Sequence, residues 1–311
     1  MEVASLSSSD PITAMSSVRI TAKMPDLPKS PPPIFTLPAP RVNERALLEL
    51  AHTFKLKARE QTGSTSSATS SITYSEGAFD LTLHRASGAF RFRDRNRWQI
   101  DHRANVEFSE EEAIKRARNH LRRYKLLPAD SKVLRVSRLN VAVTGPDRKI
   151  QDKRVIDMAV CLQPVIHGTP IDGPGGKITV YLDHEAKMTC LDHISRRIGP
   201  VYRKVTQLHS PEYVLDLAKR IWEKRGAEEV EVNEIRFCYY EMGWNDEQRY
   251  LQPAYIVLAT LIGADERIKM GDIYVTPAAT NPAGKIEALA IKRRAAQKPR
   301  SGQSIRGKKA K

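Results

Sequence analysis

Residues 109–124 read SEEEAIKRARNHLRRY, and the rest of the fold can be read outward from them. Ser109 and Glu112 stand at the spacing of a capping box, in which each side chain can satisfy an otherwise unpaired backbone N–H of the first turn. Ala113, Ala117, Leu121 and Tyr124 recur at helical spacing as one buried stripe, Arg116, Arg118, Arg122 and Arg123 stand around the exposed face, and Pro128 ends the helix. Beyond Pro128 the apolar residues alternate with a period of two, which predicts strands at 133–143, 155–166, 177–182 and 188–194.

The same order of helix and then strands recurs on both sides. Upstream, Ala46, Leu47, Leu50, Ala51 and Phe54 mark a helix over 43–57 with Asn43 as its N-cap. Beyond a Ser/Thr/Gly linker, Phe79, Leu81 and Leu83 alternate with Asp80, Thr82 and His84. After Ser87-Gly88, Phe90 and Phe92 alternate with Arg91 and Arg93, which makes a half-buried hairpin. Downstream, Ser210 caps a third helix with Pro211 at its first position, where a missing N–H costs nothing. Val214, Leu215, Ala218, Ile221 and Trp222 form its apolar face, Gly226 stops it, and strands at 230–240, 254–261 and 272–276 complete the unit.

Each helix has one apolar stripe and each sheet one apolar face, so stacking them buries both. Connections this short cannot carry parallel crossovers. The reading is therefore an α+β fold of repeated helix-plus-antiparallel-sheet units. Its expected boundaries are a disordered leader over 1–32, a helix–hairpin unit over 33–104, further units over 105–200 and 201–288, and a disordered basic tail over 289–311.

One stretch carries a family resemblance. Residues 155–191, VIDMAVCLQPVIHGTPIDGPGGKITVYLDHEAKMTCL, contain a corner His167-Gly168-Thr169-Pro170-Ile171 followed by the strand ITVYLD. This resembles the PepSY domain and the fungalysin/thermolysin propeptide module, and Leu251-Gln252-Pro253-Ala254-Tyr255 looks like the matching element of a second copy. The likeness spans roughly 105–280 and departs from the pattern at Asp183-His184-Glu185-Ala186-Lys187, where the family's hairpin carries a glycine. The resemblance implies PepSY/cystatin-like units of helix on sheet and, since members typically bind or inhibit peptidases, a peptide- or protein-binding role.

Composition limits the function. The net charge is +15, yet nine of the basic residues lie within 291–311, a stretch without a single acid. The excess belongs mainly to a tail able to hold nucleic acid or another polyanion weakly and without sequence preference. No apolar run is long enough to span a bilayer, which argues against a membrane protein. The N-terminus lacks the basic-then-apolar order of a secretory signal. Cys161, Cys190 and Cys238 are odd in number and form no C-x-x-C pair, so buried reduced thiols and a cytoplasmic location are expected.

Catalytic signatures are scarce. Gly173-Pro174-Gly175-Gly176-Lys177 lacks the Ser/Thr and the helix that a phosphate loop needs, so it reads as a hairpin turn. Asp183-His184 and Asp192-His193 match no zinc spacing, and neither a metal nor another cofactor is expected. The chemically richest segment is 236–255, RFCYYEMGWNDEQRYLQPAY. Rings beside carboxylates suit a binding cleft, so Tyr240, Glu241, Trp244 and Tyr255 are the candidate ligand- or partner-binding residues. The leading reading is a non-catalytic binding or regulatory protein that offers sheet surfaces to a peptide or protein. The alternatives are a motif-less acid–base isomerase or cyclase using Glu241 or Asp246, and a polyanion binder acting through the tail.

Overall fold

The computed structural model describes residues 17–57, 64–98, 104–144, 150–263, 269–284 and 286. The expected basic tail therefore lies outside the described residues. In chain order the elements are β1 (Ser17–Ile20), β2 (Ile34–Thr36), α1 (Glu44–Thr53), β3 (Ser64–Ser67), β4 (Ser71–Glu76), β5 (Phe79–His84), β6 (Phe90–Asp94), α2 (Arg95–Trp98) and α3 (Glu110–Arg123). They continue with β7 (Ser131–Thr144), β8 (Ile150–Ile166), β9 (Thr169–Asp172), β10 (Lys177–Leu182), β11 (Met188–Ile194), β12 (Val201–Arg203), α4 (Pro211–Lys224), β13 (Glu229–Tyr240), β14 (Tyr250–Ile262) and β15 (Lys269–Pro277).

Locally the helices start as their sequences direct. The Asn43 and Ser210 side chains accept from the N–H groups of Ala46 and Tyr213, and Ser109 accepts from Glu112. Only half of the capping box forms, because the Glu112 carboxylate turns to Arg116 Nε at 2.6 Å.

The expected repetition of helix-plus-antiparallel-sheet units is overturned. The fifteen strands among the described residues join into one large mixed sheet, ordered β12-β2-β14-β13-β9-β8-β10-β11-β6-β5-β4-β3, with β1, β7 and β15 as side pairings. The helices do not each own a meander. α1 and α3 share a single core on one sheet face, in which Leu47, Ala51 and Phe54 pack with Ala113, Ala117 and Leu121 over Phe92, Val160 and Ile178. Phe54 stacks on Phe92 at 4.4 Å and meets Tyr124 at 5.0 Å, tying both helices to the same strands. The physical reason is the edge of β6: left alone it would expose unpaired N–H and C=O groups, and antiparallel pairing with β11 satisfies them.

The sheet is also not purely antiparallel, since β13 pairs in parallel with both β1 and β9. Short connections exclude parallel pairing only between consecutive strands, whereas these partners are far apart in the chain. β9 turns back from β8 through His167 and Gly168, at φ 48° and 80°, the left-handed pair of a tight hairpin. It then lies beside β13, so this corner joins the two halves of the sheet.

A second correction concerns the leader. From Ser17 it is ordered: β1 runs along β13, the N–H groups of Thr21 and Ala22 both donate to Val232 O, and Val18, Ala22 and Met24 pack onto the core beneath α4. Val18 and Ala22 supply the apolar contacts that a Ser/Pro-rich composition conceals. Among the described residues no helix is long and apolar enough to cross a membrane.

Candidate functional site

The candidate site lies on the face of β4, β5, β6 and β11 opposite the shared core. Ile72, Tyr74, Leu81, Leu83, Phe90, Phe92 and Leu191 point into that core, so their neighbours along each strand must point out. Register then aligns these neighbours in rows. Thr73, Thr82, Arg91 and Asp192 are successive cross-strand partners, as are Ser75, Asp80, Arg93 and Cys190. The result is a groove of about 460 Å³ whose lining includes Thr73, Asp80, His84, Arg91, Arg93 and Trp244.

Trp244 comes from the other half of the sheet, on the loop between β13 and β14. Its indole stacks on His84, ring centroids 4.7 Å apart and nearly parallel, and Arg91 lies 5.0 Å from the ring. The loop is tied down from both sides. Ser87 Oγ donates to Trp244 O at 2.7 Å, and Arg196 donates to the carbonyls of Met242, Gly243 and Asp246. Asn245 Oδ1 stands 3.2 Å from His84 Nδ1.

The charges of the groove are arranged in pairs. Arg91 makes two hydrogen bonds to Asp192, at 2.5 and 2.8 Å, which hold its pKa above the usual arginine value. Asp80 accepts from Ser75 at 2.7 Å and faces Arg95 at 3.4 Å. Burial lowers the His84 pKa, favouring the neutral ring, and pushes the Cys190 thiol up to about 12, which leaves it unreactive. Arg93 lies 5.2 Å from the Trp98 ring, and Trp98 meets Tyr181 edge-on at 6.0 Å.

The four expected binding residues are not brought together. Only Trp244 borders the groove. Tyr240 is buried with Cys238 and Ala254, while Tyr255 faces the opposite side of the sheet, under α4, with its hydroxyl donating to His209 O at 2.8 Å. Glu241 is 0% exposed and bound to Arg196, so no substrate reaches it in this conformation. Asp246 accepts from Gly243 N at 3.1 Å as a turn residue. The groove residues that sequence reasoning did not select are His84, Arg91 and Arg93, and Asp192, which it set aside as no metal ligand, holds Arg91 in place. Their alternation marks an outward face, but nothing local indicates that Trp244 lies above it.

The three cysteines are free and buried. Among the described residues no group of His, Cys, Asp or Glu could hold a metal ion. The Gly-rich run is a structural turn: Gly173 N donates to Asp172 Oδ1, Arg236 pairs with Asp172, and a Cβ on Gly175 would collide with Met242 O.

No family model and no curated protein matches this sequence. Among solved structures, an uncharacterized protein from Eubacterium rectale has a similar fold, with a TM-score of 0.50 at 13% identity over 88% of this chain and 90% of that one. That likeness concerns the fold alone.

Proposed function

We propose that the protein is a non-catalytic binding or regulatory protein that seats a segment of a peptide or protein partner in the groove beneath Trp244. The observation that carries this reading is the overhang. A large aromatic side chain is held over a polar sheet face without a ligand, its loop backbone bonded by Ser87 and Arg196 and its indole stacked on His84. An anchor fixed in advance gives up little entropy on binding, and aromatic anchors dominate interface energies. Hydroxyls of Thr73, Ser75 and Thr82 line the floor and suit a polar backbone. The buried free cysteines support a reducing, cytoplasmic setting for this role.

The test is a random-peptide array probed with the full chain and with Trp244→Ala. Peptides whose binding weakens about tenfold or more in the variant, at a melting temperature within a few degrees of the wild type, support the reading. An array whose binders are all indifferent to Trp244 overturns it.

A further inference from the structure

The groove contains one cation that no described carboxylate neutralises. Arg91 is matched by Asp192, and Asp80 by Arg95. Arg93 stands in cross-strand register between Asp80 and Cys190, yet among the described residues it forms no ion pair, and its buried Nε has no hydrogen-bond partner. Its guanidinium is held near the Trp98 ring at 5.2 Å, and both residues are half-buried. A half-buried guanidinium that no carboxylate reaches leaves its donors unmatched, and a planar fork held by an aromatic ring is shaped for an oxyanion.

We propose that the ligand of this groove carries a carboxylate and that Arg93 receives it, with Trp244 covering the adjacent residue. This rests on the groove reading above and names the chemistry of its partner: an acidic stretch of peptide. An approaching carboxylate would accept from the Arg93 fork, and the Thr82 and Thr73 hydroxyls next to it can serve the peptide backbone. Thr73 and Thr82 currently bond to each other at 3.0 Å. The neutralised pair Arg91–Asp192 keeps the remainder of the floor without net charge, so the preference is local to Arg93.

The experiment titrates three short probes into the full chain and follows tryptophan emission, to which Trp244 contributes from the groove and Trp98 from beside Arg93. The probes are acetylated, amidated hexaglutamate; acetylated, amidated hexaglutamine; and hexaglutamine with a free C-terminus. The expected result is saturable binding of hexaglutamate about tenfold tighter than amidated hexaglutamine. Arg93→Gln should abolish that preference, and Arg93→Lys should restore only part of it, because an ammonium lacks the planar fork. The basic tail is present in every variant and cannot produce a difference between them. If free-ended hexaglutamine binds as hexaglutamate does and depends on Arg93, the proposal stands with a chain terminus as the carboxylate source. Equal affinities for all three probes, or a hexaglutamate preference that survives Arg93→Gln, overturns it. Trp244-dependent array peptides indifferent to Arg93 would sink the carboxylate assignment while leaving the groove reading intact.

Discussion

Arg196 and Glu241 form a buried ion pair at 3.4 Å, their side chains 5% and 1% exposed, and the same guanidinium holds the three carbonyls that shape the Trp244 loop. The pair therefore fixes the overhang of the groove from beneath. Removing one partner from such a pair leaves an uncompensated buried charge, at a cost of about 3–5 kcal/mol. Arg196→Met should lower stability by about that much at pH 8 and by less at pH 5.5, where Glu241 already carries a proton in the folded wild type. Urea denaturation at the two pH values measures both.

Burial pushes Glu241 up to about 7 from its ordinary 4.5, against the opposing pull of Arg196. The folded state then keeps a proton that the unfolded state has released, so this stabilisation is present in acid and fades as pH rises through about 7. Burial moves His193 the other way, to about 4, and its contribution is lost as pH falls below 6.5. Between pH 6.5 and about 7.5 the two oppose each other, because the unfolded state still takes up protons at His193 there, so the Glu241 part is read as a difference between wild type and variant. Relative to Glu241→Gln, wild-type stability should decline by about 1 kcal/mol between roughly pH 6.5 and 8. A variant that keeps the slope would assign it to another group.

Two tryptophans should respond in opposite ways. Trp222 is 0% exposed in the α4 core, with Nε1 donating to Asp272 at 2.9 Å. Trp222→Ala should cost about 3–5 kcal/mol. Trp244 packs on polar side chains at the surface of a groove, so Trp244→Ala should cost less than about 1.5 kcal/mol and act on binding. Thermal melts of both variants decide between these assignments.

Ala186 adopts φ 56° in the turn between β10 and β11, a conformation that burdens any residue with a Cβ. Its carbonyl oxygen faces His120 Nε2 at 3.1 Å, which helps hold the turn. Ala186→Gly should therefore leave the fold intact and stabilise it by up to about 1 kcal/mol. A loss of stability, measured by chemical denaturation, would show that the methyl group itself matters.

The N-terminal strand should be protected. Arg19 lies within β1, paired with Glu231, so trypsin should cut there only slowly. Deleting residues 1–24 should lower the melting temperature by a few degrees, because the β13 edge and the Val18, Ala22 and Met24 contacts go with it. Rapid cleavage after Arg19 in the intact chain would contradict the pairing.

The sequence alone determined what depends on a few neighbouring residues. Asn43, Ser109 and Ser210 cap their helices because a side-chain oxygen lies within reach of an N–H three residues on. The alternation at 79–83 and 90–93 placed Phe and Leu inward and Asp, Thr and Arg outward for the equally local reason that strand side chains alternate. Tertiary structure decided everything that pairs distant residues. It set α1 and α3 on one core, β1 and β9 beside β13, and Trp244 above His84, far apart as the two are in the chain. The 236–255 segment misled for the same reason. Its aromatic and acidic residues are neighbours in sequence, but the period of two sends Tyr240 and Tyr255 to opposite faces, and burial closes Glu241 against Arg196. Which edges pair and which faces are covered depends on satisfying backbone groups and burying apolar area across the whole chain, and no local window contains that information.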